Sequence, residues 1–181
     1  MEVEAKVELK DLEEIKKKLI SLGAKFFKEK KQDDIFFYKK GAENKVQGPG
    51  DFVLRIRESD KNTFTFKALT DRTGFWVEHE TEISSPREMK IILEKTGFVE
   101  MTAMHKKRIP GELGEFELCL DDVKELGKFL EVALESEEGE KSERKLVDFL
   151  KKLEFDEKEI IHKGYGAMMF AKLGIKFDGT G

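Results

Sequence analysis

The sequence predicts an α+β fold: an antiparallel sheet of eight or nine strands that curls or closes into a barrel, with helices at its flanks. Three observations lead there. Short segments in which apolar and charged residues alternate recur from the start of the chain to about residue 135. Most are joined by connections of hairpin length, which makes consecutive strands antiparallel neighbours. Helical spacing is confined to two stretches within this region and to the chain after Gly139. A sheet of that many strands curls or closes rather than staying flat. The 181 residues suit one domain, strand-rich over 1–136 and helical over 139–174.

The first strand covers Met1–Lys10, where Val3, Ala5, Val7 and Leu9 alternate with Glu2, Glu4, Lys6 and Glu8. Residues two apart share a strand face at a separation of about 6.6 Å. One face is therefore apolar, and the other carries two carboxylates followed by an ammonium. Asp11 suits a helix N-cap, with Glu14 at the capping-box position, and Leu12, Ile15, Leu19 and Leu22 have helical spacing. Gly23 suits the stop, so a helix is expected over 11–22. Residues 24–31 and 33–38 read as two strands or one bent strand, and Gly41–Gly50 as a loop. Strands over 51–58 and 63–69 are joined by Ser59-Asp60-Lys61-Asn62, and a strand over 75–83 follows. Pro86 opens a second helix that runs to about Lys95 and ends at Gly97. Strands are expected at 98–109, 114–122 and 127–135, the first two separated by Pro110-Gly111. Leu146, Phe149, Leu150 and Leu153 form a helical stripe, 167–173 reads as a last helix, and 177–181 as a frayed end.

Composition excludes several classes. The net charge is −4 with no basic block, which argues against a nucleic-acid-binding tail. A lone Cys119 rules out an intramolecular disulfide framework, and no Cys/His spacing resembles a zinc site. The apolar runs fall well short of the roughly 20 residues that cross a membrane. The start of the chain does not read as a signal peptide. A cytoplasmic protein without nucleic-acid or membrane partners is expected.

Strand parity then sorts the charges into two sets. Six cations, Lys6, Arg55, Arg57, Lys67, Lys106 and Arg108, and four carboxylates, Glu2, Glu4, Asp121 and Glu131, fall on the polar faces of their strands. If those faces turn inward, so many charges require compensation. A polyanion with a divalent cation supplies it. Arginine forks suit phosphate oxygens, lysines give point charges, and carboxylates hold Mg²⁺ or Mn²⁺. The alternative is an exposed sheet face with surface ion pairs worth about 0–1 kcal/mol each. The residues alone leave both readings open.

Glu2-Val3-Glu4-Ala5-Lys6 resembles the ExExK signature of the CYTH superfamily, the triphosphate tunnel enzymes. The likeness continues through Leu54-Arg55-Ile56-Arg57, Thr65-Phe66-Lys67, Glu80 with Glu82, Lys106 with Arg108, Leu120-Asp121, and Leu126-Gly127-Lys128-Phe129-Leu130-Glu131. The class IV adenylyl cyclase branch shares the Leu-Asp and Leu-Gly-x-Phe-Leu-Glu spacing. The resemblance implies one CYTH-like domain whose eight-stranded antiparallel barrel forms a tunnel. The six cations would bind the triphosphate of ATP or a related polyphosphate and act in catalysis. Glu2, Glu4, Asp121 and Glu131 would bind one or two Mg²⁺ or Mn²⁺ ions. Glu80, Glu82 and Glu117 would hold the basic residues in place by ion pairing. The implied reaction is cyclisation of ATP to cyclic AMP and pyrophosphate. The alternatives are hydrolysis of inorganic triphosphate, thiamine triphosphate or a nucleoside triphosphate, and a polyphosphate-binding module without turnover. A homodimer is a compatible assembly.

Two departures from the family pattern stand out. Ala133 occupies a position where many members carry a second glutamate, and Gly164-Tyr165 stands where many cyclase-like members have Ser-Tyr. Of the remaining residues, His79, His105 and His162 read as structural or exposed, Asp33 and Asp34 as turn residues in preference to groups that cap or approach the tunnel mouth, and Glu78 and Lys107 as surface. Tyr38, Trp76 and the phenylalanines read as core. Gly48-Pro49-Gly50 is no phosphate-binding P-loop, because the GxxxxGK[ST] pattern is absent.

Overall fold

The structure, a computed structural model, describes residues 2–42, 50–69, 76–135 and 139–174; of Glu2, Leu69, Trp76, Glu135, Gly139 and Glu140 it describes the backbone. In chain order the elements are β1 (Glu2–Leu9), α1 (Leu12–Ser21), β2 (Lys25–Phe26), β3 (Lys30–Lys39), β4 (Phe52–Glu58), β5 (Thr63–Leu69) and β6 (Trp76–Glu82). There follow α2 (Pro86–Lys95), β7 (Phe98–Leu113), β8 (Phe116–Val123), β9 (Gly127–Glu135), α3 (Gly139–Lys152), a 3₁₀ turn at Glu157–Glu159 and α4 (Tyr165–Lys172). The expected loop over Gly41–Gly50 lies mostly outside the described residues, as do the frayed end over 177–181 and the side chains of Glu2 and Trp76.

The chain divides into two compact units, Met1–Lys30 with Lys106–Lys163, and Lys31–His105 with Gly164–Gly181. In the first, β1 pairs β9, β9 pairs β8, and β8 pairs the second half of β7, with β2 beside β7. In the second, β3, β4, β5 and β6 pair in that order. Every one of these pairings is antiparallel. β1 and β6 are edge strands, so among the described residues no ladder hydrogen bonds close the sheet. The expected barrel, closed or nearly closed, is therefore not closed by strand pairing among the described residues; the antiparallel α+β fold is as expected.

Alternation explains the packing of each unit. In the first, Ala5, Val7, Leu118, Leu120, Leu130 and Val132 are fully buried against Leu19 of α1 and Leu146 and Leu150 of α3. Each fully buried leucine contributes about 1.5–3 kcal/mol. In the second, Phe37, Leu54 and Ile56 pack with Leu93 of α2, and the rings of Phe52 and Phe66 lie 5.0 Å apart. The helix ends follow local chemistry. Asp11 caps α1 by accepting from the Glu13 amide at 2.8 Å, and Ser85 caps α2 by accepting from Glu88 at 3.2 Å.

The expected break at Pro110-Gly111 is corrected: β7 runs on to Leu113. The Pro110 carbonyl accepts from Phe27 at 2.8 Å, toward β2 rather than β8. A residue's N–H and C=O point to the same side of a strand, so the missing donor of Pro110 faces the two-residue β2 and leaves the β8 ladder intact. Gly111 is needed for the same approach. A Cβ there would lie 2.6 Å from Phe26 Cδ1 and 2.7 Å from the Lys25 carbonyl. Gly111→Ala is expected to destabilise by about 1–3 kcal/mol, read as a lower melting temperature by circular dichroism. An unchanged melting temperature would mean that β2 yields freely.

Candidate active site

On the polar face of the first unit, β1, β9, β8 and β7 bring six predicted residues into one chain of ion pairs. Lys6, fully buried, places Nζ 2.7 Å from Glu4 Oε1 and 3.2 Å from Glu131 Oε2. Arg108 grips Asp121 with a two-pronged contact, Nε to Oδ1 at 2.8 Å and Nη2 to Oδ2 at 2.7 Å, and donates to Glu131 Oε1 at 2.7 Å. Lys106 Nζ lies 4.0 Å from Asp121 Oδ2.

The backbone sets this up. Lys6 exchanges both its N–H and its C=O with Ile161, at 2.8 and 2.7 Å. Its facing position on β9, Glu131, is therefore a non-hydrogen-bonded neighbour, the kind that brings side chains closest. Alternation from Pro110 gives Arg108 and Asp121 the same kind of pairing.

The electrostatics are strongly coupled. Burial alone would push Lys6 down, but Glu131 and Glu4 outweigh it and hold the ammonium above its usual range. Burial likewise opposes the charge on Arg108, and Glu131 and Asp121 raise it well beyond the ordinary arginine value. Burial would raise Glu131, yet Arg108, Lys6 and Lys106 bring its carboxyl down to about 2. Cys119 sits opposite Glu131 in the ladder; burial, only partly offset by Arg108, pushes its thiol up to about 12. It is therefore an uncharged thiol.

In the second unit, the polar faces of β3 to β6 bring together the other three predicted cations. Arg57 is held by Asp34 through two parallel contacts, Nε to Oδ1 at 2.7 Å and Nη2 to Oδ2 at 2.8 Å. Arg55 Nη2 donates to Glu80 Oε2 at 2.9 Å, Thr65 Oγ1 at 3.0 Å and Glu78 Oε1 at 3.3 Å. Lys67 Nζ lies 2.7 Å from Glu78 Oε2. Burial and the neighbouring Arg57 lower the Arg55 guanidinium, against the pull of Asp34, Glu78 and Glu80. Burial would raise Glu80, but hydrogen bonding from Thr65 and the charge of Arg55 bring it below the usual carboxylate range. Arg55 Nε is buried and has no hydrogen-bond partner among the described residues.

The other predicted residues fall as follows. Glu80 supports Arg55, whereas Glu82 pairs with the exposed Lys61 at 2.6 Å. Glu117 is exposed on β8, opposite Ala133 and Glu112. Sequence reasoning missed two residues. Asp34, read as a turn residue, is buried within β3, and Glu78, which is exposed as expected, also bridges Arg55 and Lys67. His79, His105 and His162 are exposed, as is Lys107. Gly164 caps α4 without a side-chain hydrogen bond, and Tyr165 is buried.

The donor chemistry bears on a metal ion. Among the described residues, no three His, Cys, Asp or Glu groups stand together as a ready cage. Instead one ammonium, Lys6 Nζ, joins Glu4 to Glu131. Mg²⁺ keeps several waters and takes only one or two carboxylates beside substrate phosphates. The hard oxygens of Glu4 and Glu131 thus fit a cation that arrives with a polyphosphate.

Residues 1–165 match the CYTH domain. A candidate adenylate cyclase of Methanocaldococcus jannaschii is 33% identical over 171 residues, covering 91% of this chain and 96% of that protein. A Pyrococcus horikoshii protein of known structure matches at a TM-score of 0.77 and 26% identity, over 91% of this chain and 97% of its own. A candidate adenylyl cyclase from Hippeastrum, described as having a dominant triphosphatase activity, matches at a TM-score of 0.66 and 19% identity, over 98% of this chain and 97% of its own. At that identity the likeness shows the fold alone.

Proposed function

This chain belongs to the CYTH domain family, and from that premise we propose that it is a divalent-metal-dependent enzyme acting on triphosphates, converting ATP to cyclic AMP and pyrophosphate in the manner of class IV adenylyl cyclases. The family match runs through both units, which supports reading the chain as one CYTH domain. The carrying observation is the density of buried charge: Lys6, Asp34, Arg55, Lys106, Asp121 and Glu131 are all buried. Such pairs give a core little net stability compared with apolar groups of the same volume. A phosphate ligand with its own charges gives them a use.

In the first unit, Lys6, Lys106 and Arg108 take phosphate oxygens, Glu4 and Glu131 would hold Mg²⁺ or Mn²⁺, and Asp121, which meets Arg108 through both oxygens, keeps that guanidinium in place. In the second, Arg55, Arg57 and Lys67 take phosphate oxygens, with Asp34, Glu78 and Glu80 holding them in position. A divalent cation held by Glu4 and Glu131 would supply Lewis acidity at the phosphoryl oxygens and would make the attacking hydroxyl more acidic. In the reaction the ribose 3′-hydroxyl gives up its proton to solvent water, its oxygen bonds to the α-phosphorus, and the bond to the departing pyrophosphate breaks. The guanidinium and ammonium groups stabilise charge on the departing pyrophosphate. Lys6, held protonated by Glu131 and Glu4, acts as a fixed charge and not as the base.

A second reading, triphosphate hydrolysis, draws support from the activity described for the Hippeastrum protein of the same fold. The two are separated by chromatography of products after incubation with ATP, thiamine triphosphate or inorganic triphosphate and Mg²⁺ or Mn²⁺. Cyclic AMP with pyrophosphate is expected, and chelation should abolish both. Orthophosphate as the main product would assign hydrolysis. Binding with no product would make the protein a binding module.

A further inference from the structure

Among the described residues, three buried side-chain atoms have no hydrogen-bond partner: Gln32 Oε1, Thr63 Oγ1 and Arg55 Nε. They come from three strands of the second unit, β3, β5 and β4, and the pairing register puts them on one face. Asp34, Arg57 and Thr63 are partners across one row of the sheet, and Arg55 with Thr65 belongs to the next. Gln32 lies two residues before Asp34 on β3 and so shares its face. This is the face that carries the Arg55 and Arg57 guanidiniums. Buried polar atoms are nearly always paired, and leaving one unpaired is destabilising. Three of them on the face that carries the two guanidiniums, one belonging to Arg55 itself, mark a place that a ligand completes.

Their chemistry says what kind of ligand. Arg55 Nε only donates, so a phosphate oxygen serves it. The Thr63 hydroxyl donates or accepts. Gln32 Oε1 only accepts, and a polyphosphate, whose oxygens are themselves acceptors, offers it nothing. We infer that Gln32 and Thr63 form a specificity subsite for the organic part of the substrate, taking a group that carries a hydrogen-bond donor, either a sugar hydroxyl or an exocyclic amine. The inference rests on the triphosphate reading above and narrows it to organic triphosphates.

The test is calorimetric titration of the full chain, with and without Mg²⁺, using ATP, 2′,3′-dideoxy-ATP, a purine riboside triphosphate lacking the amine, and inorganic triphosphate. The variants are Thr63→Val and Gln32→Met, which remove the unpaired atom at similar volume. Each should leave the melting temperature of the free protein unchanged or raised, because an unsatisfied polar atom is gone. Each should weaken ATP binding about threefold to tenfold and leave inorganic triphosphate unaffected. For the unmodified protein, the analogue that lacks the recognised donor should bind correspondingly weaker. The Gln32→Met variant should no longer tell it from ATP. If the unmodified protein binds all three organic triphosphates and inorganic triphosphate equally, the subsite does not exist. If the variants weaken inorganic triphosphate as much as ATP, their role is structural and the inference fails, while the triphosphate reading stands. If the unmodified protein binds no triphosphate at all, both fail together.

Discussion

Replacing Glu131 by glutamine is expected to lower the melting temperature by about 6–20 °C and to reduce turnover by about a hundredfold. Glu131 accepts from Arg108 at 2.7 Å and sits 3.2 Å from Lys6, so the neutral amide leaves both buried cations short of countercharge. Like-charge crowding among the carboxylates, which would make such a change stabilising, is not what the cluster shows. Each carboxylate there touches a cation, and removing one partner of a buried pair costs about 3–5 kcal/mol. The pH dependence gives a separate check. The Glu131 carboxyl titrates at about 2 in the folded protein, below its unfolded value. Its stabilising contribution is therefore complete above the unfolded carboxylate range, near 4.3, and is lost as the pH falls from there toward 2. Chemical denaturation across that window should show a steep loss in the unmodified protein and a shallower one in Glu131→Gln. Equal slopes, or a variant that melts with the parent, would remove Glu131 from the centre of the cluster.

Much of this cluster was legible in the sequence because it depends on parity alone. Lys6 and Glu4 on β1, Asp121 on β8, Glu131 on β9 and Arg108 on β7 share a polar face whatever the strand order, provided the segments are strands. What was not legible depends on register between distant strands. Asp33-Asp34 has the composition of a turn, and only the pairing of Asp34 with Arg57 across β3 and β4 shows why a carboxylate is buried there. The same holds on β6. Parity puts Glu78, Glu80 and Glu82 on one face, but the register sets Glu78 opposite Lys67, Glu80 opposite Thr65 and Glu82 opposite Thr63. Glu78 and Glu80 therefore reach the cations, and Glu82 turns to Lys61. Pro110 failed as a break for a comparable reason: the direction in which its missing N–H points is a property of its neighbours, not of the dipeptide.

Ala133→Glu is expected to change the metal response more than any other single substitution on this face. Ala133 is buried, with Glu4 opposite it on β1 and Glu117 opposite it on β8. A glutamate there sets three carboxylates side by side across three strands. Directly opposed like charges destabilise a sheet by about 0.2–1 kcal/mol per pair, and burial adds to that. The metal-free variant should therefore melt below the parent. Adding Mg²⁺ should reverse the order, because hard oxygen donors placed together bind a divalent cation and ligand binding stabilises the folded state by mass action. The Mg²⁺-induced rise in melting temperature should be clearly larger in the variant than in the parent. The added carboxylate also gives an ordered water more to hold it beside the phosphates, so the products from ATP should shift from cyclic AMP toward orthophosphate. An identical Mg²⁺ response in the two proteins would show that position 133 does not communicate with the cation site. A Mg²⁺ response that grows while the product ratio stays fixed would show that the choice between cyclisation and hydrolysis is made elsewhere than in the row of Glu4, position 133 and Glu117.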